Sequence, residues 1–274
     1  MKRILAVLLA GLMLLSLAAC GGKDDNVEKY GVLEADGLGN IRTAAHIEHR
    51  NAEIGLPDGF KIEDVNYTNL SSALMDLESG KISGISTELS TANYVAARND
   101  KIVVTKRDKT TDFSMMTMEN NKEVYDILNN AIKEMKADGT LESLIENELK
   151  AYIESDPEAK DLPHFDGAIT IKVGVTGDVP PMDFVASNGK AAGFNIALLT
   201  EIANRAQVNF EIVQIETGAR AMALSSNKVD AVFWTKSVTC TGCGATGAEK
   251  IEGTLVTESY FSDTVAGIRL KAEK

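Results

Sequence analysis

The sequence predicts an α/β fold in two related lobes, each a mainly parallel sheet flanked by helices. Three observations carry this. Strand-like and helix-like runs alternate from residue 60 and alternate again from IKVGV at residue 171. The polar stretch ESDPEAKDLPHFDG, with two prolines, separates the two series. Residues 73–87, ALMDLESGKISGIST, also align without gaps to residues 220–234, RAMALSSNKVDAVFW. In each a helix ends at a polar turn containing Lys81 or Lys228, and an apolar strand follows.

The elements follow in chain order. KIEDVNY alternates like a strand. Thr68 or Asn69 can cap the next helix, whose apolar face is Leu70, Leu74 and Leu77, and Gly80 ends it. ISGIST is a strand, STANYVAAR a helix, KIVVTK a strand and FSMMTM a further apolar run. EVYDILNNAIKEMKADGTLESLIENELKAYIE gives two helices separated at Asp138-Gly139, with Val124, Ile127, Leu128, Ala131 and Ile132 on one buried face and Leu141, Leu144, Ile145 and Leu149 on the other. After the linker come the strand IKVGV, the helix FNIALLTEIANRA, the strand NFEIVQI, the helix GARAMALSSN, the strand VDAVFWT and a last strand near TVAGIRL. Residues 30–58 carry little readable pattern.

The first twenty residues, MKRILAVLLAGLMLLSLAAC, are a targeting segment: Lys2 and Arg3 precede an apolar run too short to prefer spanning a bilayer. Small residues before Cys20 resemble the bacterial lipobox, which implies lipidation of Cys20 and an anchor facing the extracytoplasmic side of the cell membrane. An ordinary secretory signal is the alternative. Residues 21–29 then read as a tether. Without Lys2 and Arg3 the formal net charge falls from −12 to about −14. That argues against nucleic acid or anionic lipid as a partner. No Gly-x-Ser-x-Gly, Walker loop or His-Glu-x-x-His is present, and no cofactor is implied.

VGVTGDVPPMDF, SNGK, AGFNIALLTEIANR, LSSNKVDAVFWT and SYFSD, with ALMDLESGKISGIST and MKADGTLESLI, resemble the family 3 extracellular solute-binding proteins, the receptors of polar amino-acid ABC importers. The resemblance implies a two-lobed type II periplasmic-binding-protein-like fold and a receptor, not an enzyme, that serves an ABC importer permease. Family members run lobe 1, lobe 2, then tail helices that return to lobe 1. This chain reads 30–118 as lobe 2, 119–154 as tail helices on lobe 1, 155–168 as linker and 169–274 as lobe 1. The order looks circularly permuted; two unrelated half-domains, or a partial second receptor after a degenerate first, are the alternative. A stand-alone sensing or scavenging lipoprotein is the alternative function, and an enzyme on the same fold a third.

Ligands of open α/β sheets bind beyond the carboxyl ends of parallel strands. Four places lie there. The first is the turn with Thr176 and Asp178, backed by Phe184. The second is Trp234, Thr235, Lys236 and Ser237; the resemblance implies that backbone and hydroxyl groups here hold a ligand carboxylate. The third is Glu88, the counterpart of Thr235 in the internal alignment, at the position where the family often binds an amine. The fourth is the helix approach at Asn69. Family members usually carry an Arg shortly after the Thr/Ser pair, and KSVTCTGCGATGAEK has none, so an α-amino acid as the ligand is in doubt. Cys240 and Cys243 form a CxxC on a Gly-rich loop, which is a small disulfide, a redox pair, free thiols or half a metal site; the disulfide is the expected state. No metal is expected.

Overall fold

A computed structural model describes residues 26–33, 44–54, 59–155, 159, 161–249 and 251–272. Cys20 and the first part of the tether lie outside these. The strands are β1 (Val27–Leu33), β2 (Lys61–Tyr67), β3 (Gly84–Glu88), β4 (Ile102–Met118), β5 (Thr170–Val175), β6 (Asp178–Val179), β7 (Asp183–Val185), β8 (Ala191–Ala192), β9 (Asn209–Gln214), β10 (Ala231–Cys240), β11 (Ala245–Ala248), β12 (Thr254–Val256) and β13 (Phe261–Leu270). The helices are α1 (Ala44–Ile54), α2 (Leu70–Glu78), α3 (Leu89–Arg98), α4 (Lys122–Ala137), α5 (Thr140–Leu144), α6 (Lys150–Glu154), α7 (Phe194–Ala206) and α8 (Arg220–Ser225).

The mixed α/β architecture is a single twisted sheet of ten strands, ordered β2-β1-β3-β13-β4-β10-β5-β9, with β12 also on β4 and β11 on β10. It resolves into two halves of equal design. On one side β2, β1 and β3 run parallel, and β13 and then β4 follow. On the other side β9, β5 and β10 run parallel, and β4 and then β12 follow. In each half the fourth strand is antiparallel to the third, and it arrives from the other half. β4 and β13 are therefore the two crossing strands, paired to each other over Phe261↔Phe113 to Leu270↔Ile102. A three-stranded sheet, β6-β7-β8, covers the turn after β5.

Burial explains why these runs hold their places. In the half made by β1, β2 and β3, Leu70, Ala73 and Leu77 of α2 and Val95 of α3 close over Ile85 and Ile268. In the half made by β5, β9 and β10, Ile171, Val173, Phe210 and Phe233 of the strands meet Leu198, Leu199 and Ile202 of α7. The same core contains Val124, Leu128, Ile132 and Met135 of α4 with Leu141 and Leu149 beyond it, so these helices pack on the sheet half made by β5, β9 and β10. Each fully buried side chain of this size contributes about 1.5–3 kcal/mol. The break between α4 and α5 is at Gly139, whose φ of 80° an L side chain rarely adopts. Arg205 on α7 holds it, donating to Asp138 at 2.8 Å and to Thr140 at 2.8 Å. That guanidinium keeps the Asp138 pKa down, at about 2.

Some elements differ from the sequence reading. KIVVTK and FSMMTM are one strand of 17 residues, because β13 and β10 flank the polar link DKTTD and satisfy its backbone. VDAVFWT runs on to Cys240 for the same reason, pairing Thr239 with Thr110 and Cys240 with Lys109. The helix expected over GARAMALSSN is shorter, a 3-10 turn at Thr217–Ala219 followed by six residues of α8. The second tail helix contains a π turn at Ile145–Leu149. β1 begins at Val27, inside the stretch read as tether, and α1 fills part of the unreadable region.

Candidate ligand cleft

The turn after β5 is fixed from beneath by Asp183, which is 1% exposed. Its carboxylate accepts from the Thr176 hydroxyl at 2.5 Å, from Gly177 N–H at 2.7 Å and from the Asn195 amide at 2.8 Å. The Trp234 indole N–H donates to it as well. Burial raises the Asp183 pKa, and the four donors pull it back toward the charged form. Gly177 has φ 72°, a backbone that an L side chain rarely adopts, so the turn needs glycine; a Cβ there would also displace the end of the Gln214 side chain, 2.8 Å away.

This turn forms one wall of a cavity of about 560 Å³. Thr176, Gly177, Asp178 and Val179 join Gln214, Ile215, Glu216 and Thr217 on the lobe 1 side, and Thr68, Asn69 and Ser71 form the opposite wall. The opposite wall is the start of α2. Asn69 caps it, accepting from Ser72 N–H at 2.8 Å. Asp178 reaches across to the same helix end, accepting from Ser71 N–H at 3.1 Å and from the Ser71 hydroxyl at 2.6 Å. A carboxylate at a helix N-terminus is favoured both by the unpaired N–H groups and by the dipole. Thr217 adds a weaker link, its hydroxyl donating to Thr68 carbonyl at 3.4 Å. The walls therefore carry hydroxyls, amides and the carboxylates of Asp178 and Glu216, with no Lys or Arg among the described lining residues.

Of the residues expected to hold a ligand, Thr176, Asp178 and Asn69 meet in this cavity. The others do not line it. Glu88 ends β3 with 5% exposure, and its carboxylate takes the Lys236 ammonium at 3.0 Å. The two charges expected to meet the amine and the acid of a ligand thus meet each other. Thr235 is buried in β10 opposite Ser114, while Ser237 is exposed opposite Asp112. Trp234 is buried edge-on against Phe113, ring centroids 5.0 Å apart. Its φ of 68° accompanies a slip in the β10–β4 register between Val232 and Thr235. Phe184 stands between Tyr152 and Tyr94, at 5.6 and 6.1 Å. Cys240 and Cys243 are joined by a disulfide at the β10–β11 end.

Two buried polar features join elements far apart in the chain, and the first had no signal in the sequence. Arg220, 2% exposed, donates to the carbonyls of Thr217, Phe233 and Trp234 and pairs with Glu249, whose other oxygen accepts from Lys236 N–H at 3.0 Å. Its partner lies 29 residues away, so no local pattern marks it. Asp263, the last residue of SYFSD, ties β13 to the start of α3, accepting from Ser90 N–H at 2.9 Å and from its hydroxyl at 2.6 Å. Burial raises the Asp263 pKa.

Residues 171–241 match the bacterial extracellular solute-binding proteins, family 3. The match is confined to this segment. It spans β5 to β10 and so includes the turn of Thr176 and Asp178 and the strand of Trp234 to Ser237. No curated protein matches the chain. Among solved structures, the chain resembles the ligand-binding component of an ABC-type import system from Staphylococcus aureus at 13% identity and TM-score 0.44, covering 89% of this chain and 66% of that one. A putative L-cystine ABC transporter from Listeria monocytogenes gives 12% identity and TM-score 0.41 over 91% of this chain and 84% of its own. A probable amino-acid ABC transporter extracellular-binding protein from Bacillus subtilis gives 11% and 0.44 over 90% and 85%.

Proposed function

We propose that the chain is an extracytoplasmic solute receptor that closes two lobes on a small polar ligand and delivers it to an ABC importer permease. The carrying observation is the cavity of about 560 Å³, a volume usual for small-molecule sites, whose walls come from both sheet halves. A ligand bound there touches both walls only when they are close. Its differential affinity then favours closure, which a permease can read. Asp178 and Ser71 join the same walls directly, so they set how far apart the walls stand around the ligand.

The reading includes a lipid anchor at Cys20 and a circularly permuted order, in which 30–118 is lobe 2, 119–154 the tail helices, 155–168 the linker and 169–274 lobe 1. The matched strand orders of the two halves support that order. Binding, not turnover, is the proposed activity. The ligand is polar and either neutral or amine-bearing. Among the described residues two carboxylates and no cation line the cavity, and Lys236 is held by Glu88. Mass spectrometry of small molecules released from the purified protein tests this. A released amine or neutral polar solute that raises the melting temperature, and raises it less in Ser71→Ala, is the expected result. A protein that carries no solute and shifts with none of a panel of amino acids, polyamines and sugars refutes it.

A further inference from the structure

Groups suited to receive a solute carboxylate already hold carboxylates of the chain itself. Ser71, the second residue of α2, donates its N–H at 3.1 Å and its hydroxyl at 2.6 Å to Asp178. Ser90, the second residue of α3, makes the same two bonds to Asp263, at 2.9 and 2.6 Å. In both, the unpaired N–H groups and the dipole of the helix start favour the negative charge. In the turn after β5, the Thr176 hydroxyl and Gly177 N–H are given to Asp183. The Lys236 ammonium is given to Glu88 at 3.0 Å.

Asp178 differs from an ordinary helix cap. It lies on one wall of the cavity and Ser71 on the other, 107 residues away in the chain. Its carboxylate therefore spans the space between the walls. It accepts two bonds there, and a carboxylate offers about four lone-pair sites, so it keeps acceptor capacity for a solute N–H. Glu216 adds a second carboxylate to the lining, and no Lys or Arg among the described lining residues offsets the two. Such a wall favours a cation.

A solute carboxylate meets the opposite condition. To reach the N-terminus of α2 it must expel Asp178, and the displaced carboxylate then stands beside it as a like charge. An amine without a carboxylate needs no exchange. It adds its N–H groups to the acceptor capacity that Asp178 retains, and the bond to Ser71 stays.

We propose that the cavity selects solutes that carry an amine or guanidine and no carboxylate, with Asp178 as the residue that sets this specificity. The proposal rests on the receptor reading above and goes beyond it in naming the class: decarboxylated amines in preference to their parent amino acids.

Decarboxylation pairs isolate the one group at issue. Isothermal titration calorimetry on the whole mature protein would compare putrescine with ornithine, cadaverine with lysine, agmatine with arginine and ethanolamine with serine. At least one amine should bind, about 30-fold or more tighter than its parent, the low end of what a mispaired buried charge costs. Asp178→Asn should weaken that amine by about tenfold or more, as loss of a hydrogen bond to a charged group does, and should not weaken the parent. An amino acid that binds as tightly as its amine overturns the specificity and leaves the receptor reading standing. So does binding of sugars alone. Unchanged amine affinity in Asp178→Asn overturns the role of Asp178. A protein that binds no amine, amino acid or sugar refutes both readings. If Asp178→Asn does not fold, the wild-type pairs decide.

Discussion

Removing the Glu88 carboxylate is the sharpest test of how the lobes are held. Glu88 ends a strand of lobe 2 and Lys236 lies on β10, so their ion pair at 3.0 Å joins the two halves. The side chains are 6% and 12% exposed, which removes most solvent screening. Breaking such a pair from one side costs about 3–5 kcal/mol, because the other charge stays buried. Glu88→Gln should therefore lower the melting temperature by about 10 °C, at the roughly 2–4 °C per kcal/mol of a chain this long. Lys236→Met should do the same by stranding Glu88. The double variant should recover most of the loss, since replacing a whole buried pair by neutral groups is often nearly neutral. Urea denaturation of the four proteins gives the coupling energy directly. Single variants that each cost under about 0.5 kcal/mol, with no coupling, would mean that the pair is screened like a surface pair and does not hold the lobes.

Other outcomes follow from the site. Gly177→Ala should cost about 1–3 kcal/mol by thermal denaturation, from the left-handed backbone and the Gln214 contact together. Asp183→Asn should cost about 1–3 kcal/mol, because an amide turns one acceptor into a donor that faces donors already aimed at it. The Asp263 carboxyl carbon should titrate above the usual 3.8 by NMR. A raised acid favours the folded state below its unfolded pKa, and that contribution is lost as pH rises through the folded value, so Asp263→Asn should be least destabilising near neutral pH. Cys20→Ser should abolish any diacylglycerol mass on the protein, which intact-mass analysis reads.

The sequence made the layered α/β plan legible because apolar periodicity decides which face is buried. Leu70 and Leu77 of α2, and Val124, Leu128 and Ile132 of α4, lie in the cores expected for them. What it hid depends on distant partners. DKTTD reads as a break because its residues are polar, yet β13 and β10 on either side keep it extended. The turn of Thr176 and Asp178 and the cap Asn69 were legible because turn chemistry and helix caps are local. That Glu88 and Lys236 meet was not, since 148 residues separate them and each alone reads as a ligand contact. Arg220 was equally silent. A lone arginine at a helix start carries no sign that its carboxylate lies just past the end of a strand two elements later.

The chain order allows a last and more demanding test. If lobe 2, tail helices and lobe 1 are a permuted arrangement of one fold, their order along the chain is free wherever the ends meet. The register shows that they do. Ile268 lies beside Ile85 on β3, and Tyr30 of β1 lies beside Gly84 on the other side of β3. The end of β13 and the start of β1 are therefore at the same edge of the sheet, with one strand between them. Two strand spacings and about two residues of offset put Leu270 and Val27 about 12 Å apart. A linker of roughly six Gly and Ser residues spans that without tension. A chain running 161–272, linker, 26–155 keeps every β-sheet pairing and the Asn209 contacts to Phe165. Closing one loop and opening another changes stability by only about 1–2 kcal/mol, since closure entropy grows slowly with loop length. The rearranged protein should unfold cooperatively within about 5 °C of residues 26–272 in the native order, and bind the same solute. Loss of cooperative unfolding in the rearranged chain alone would mean that the two halves are not interchangeable units of one fold, and the permuted reading would fall.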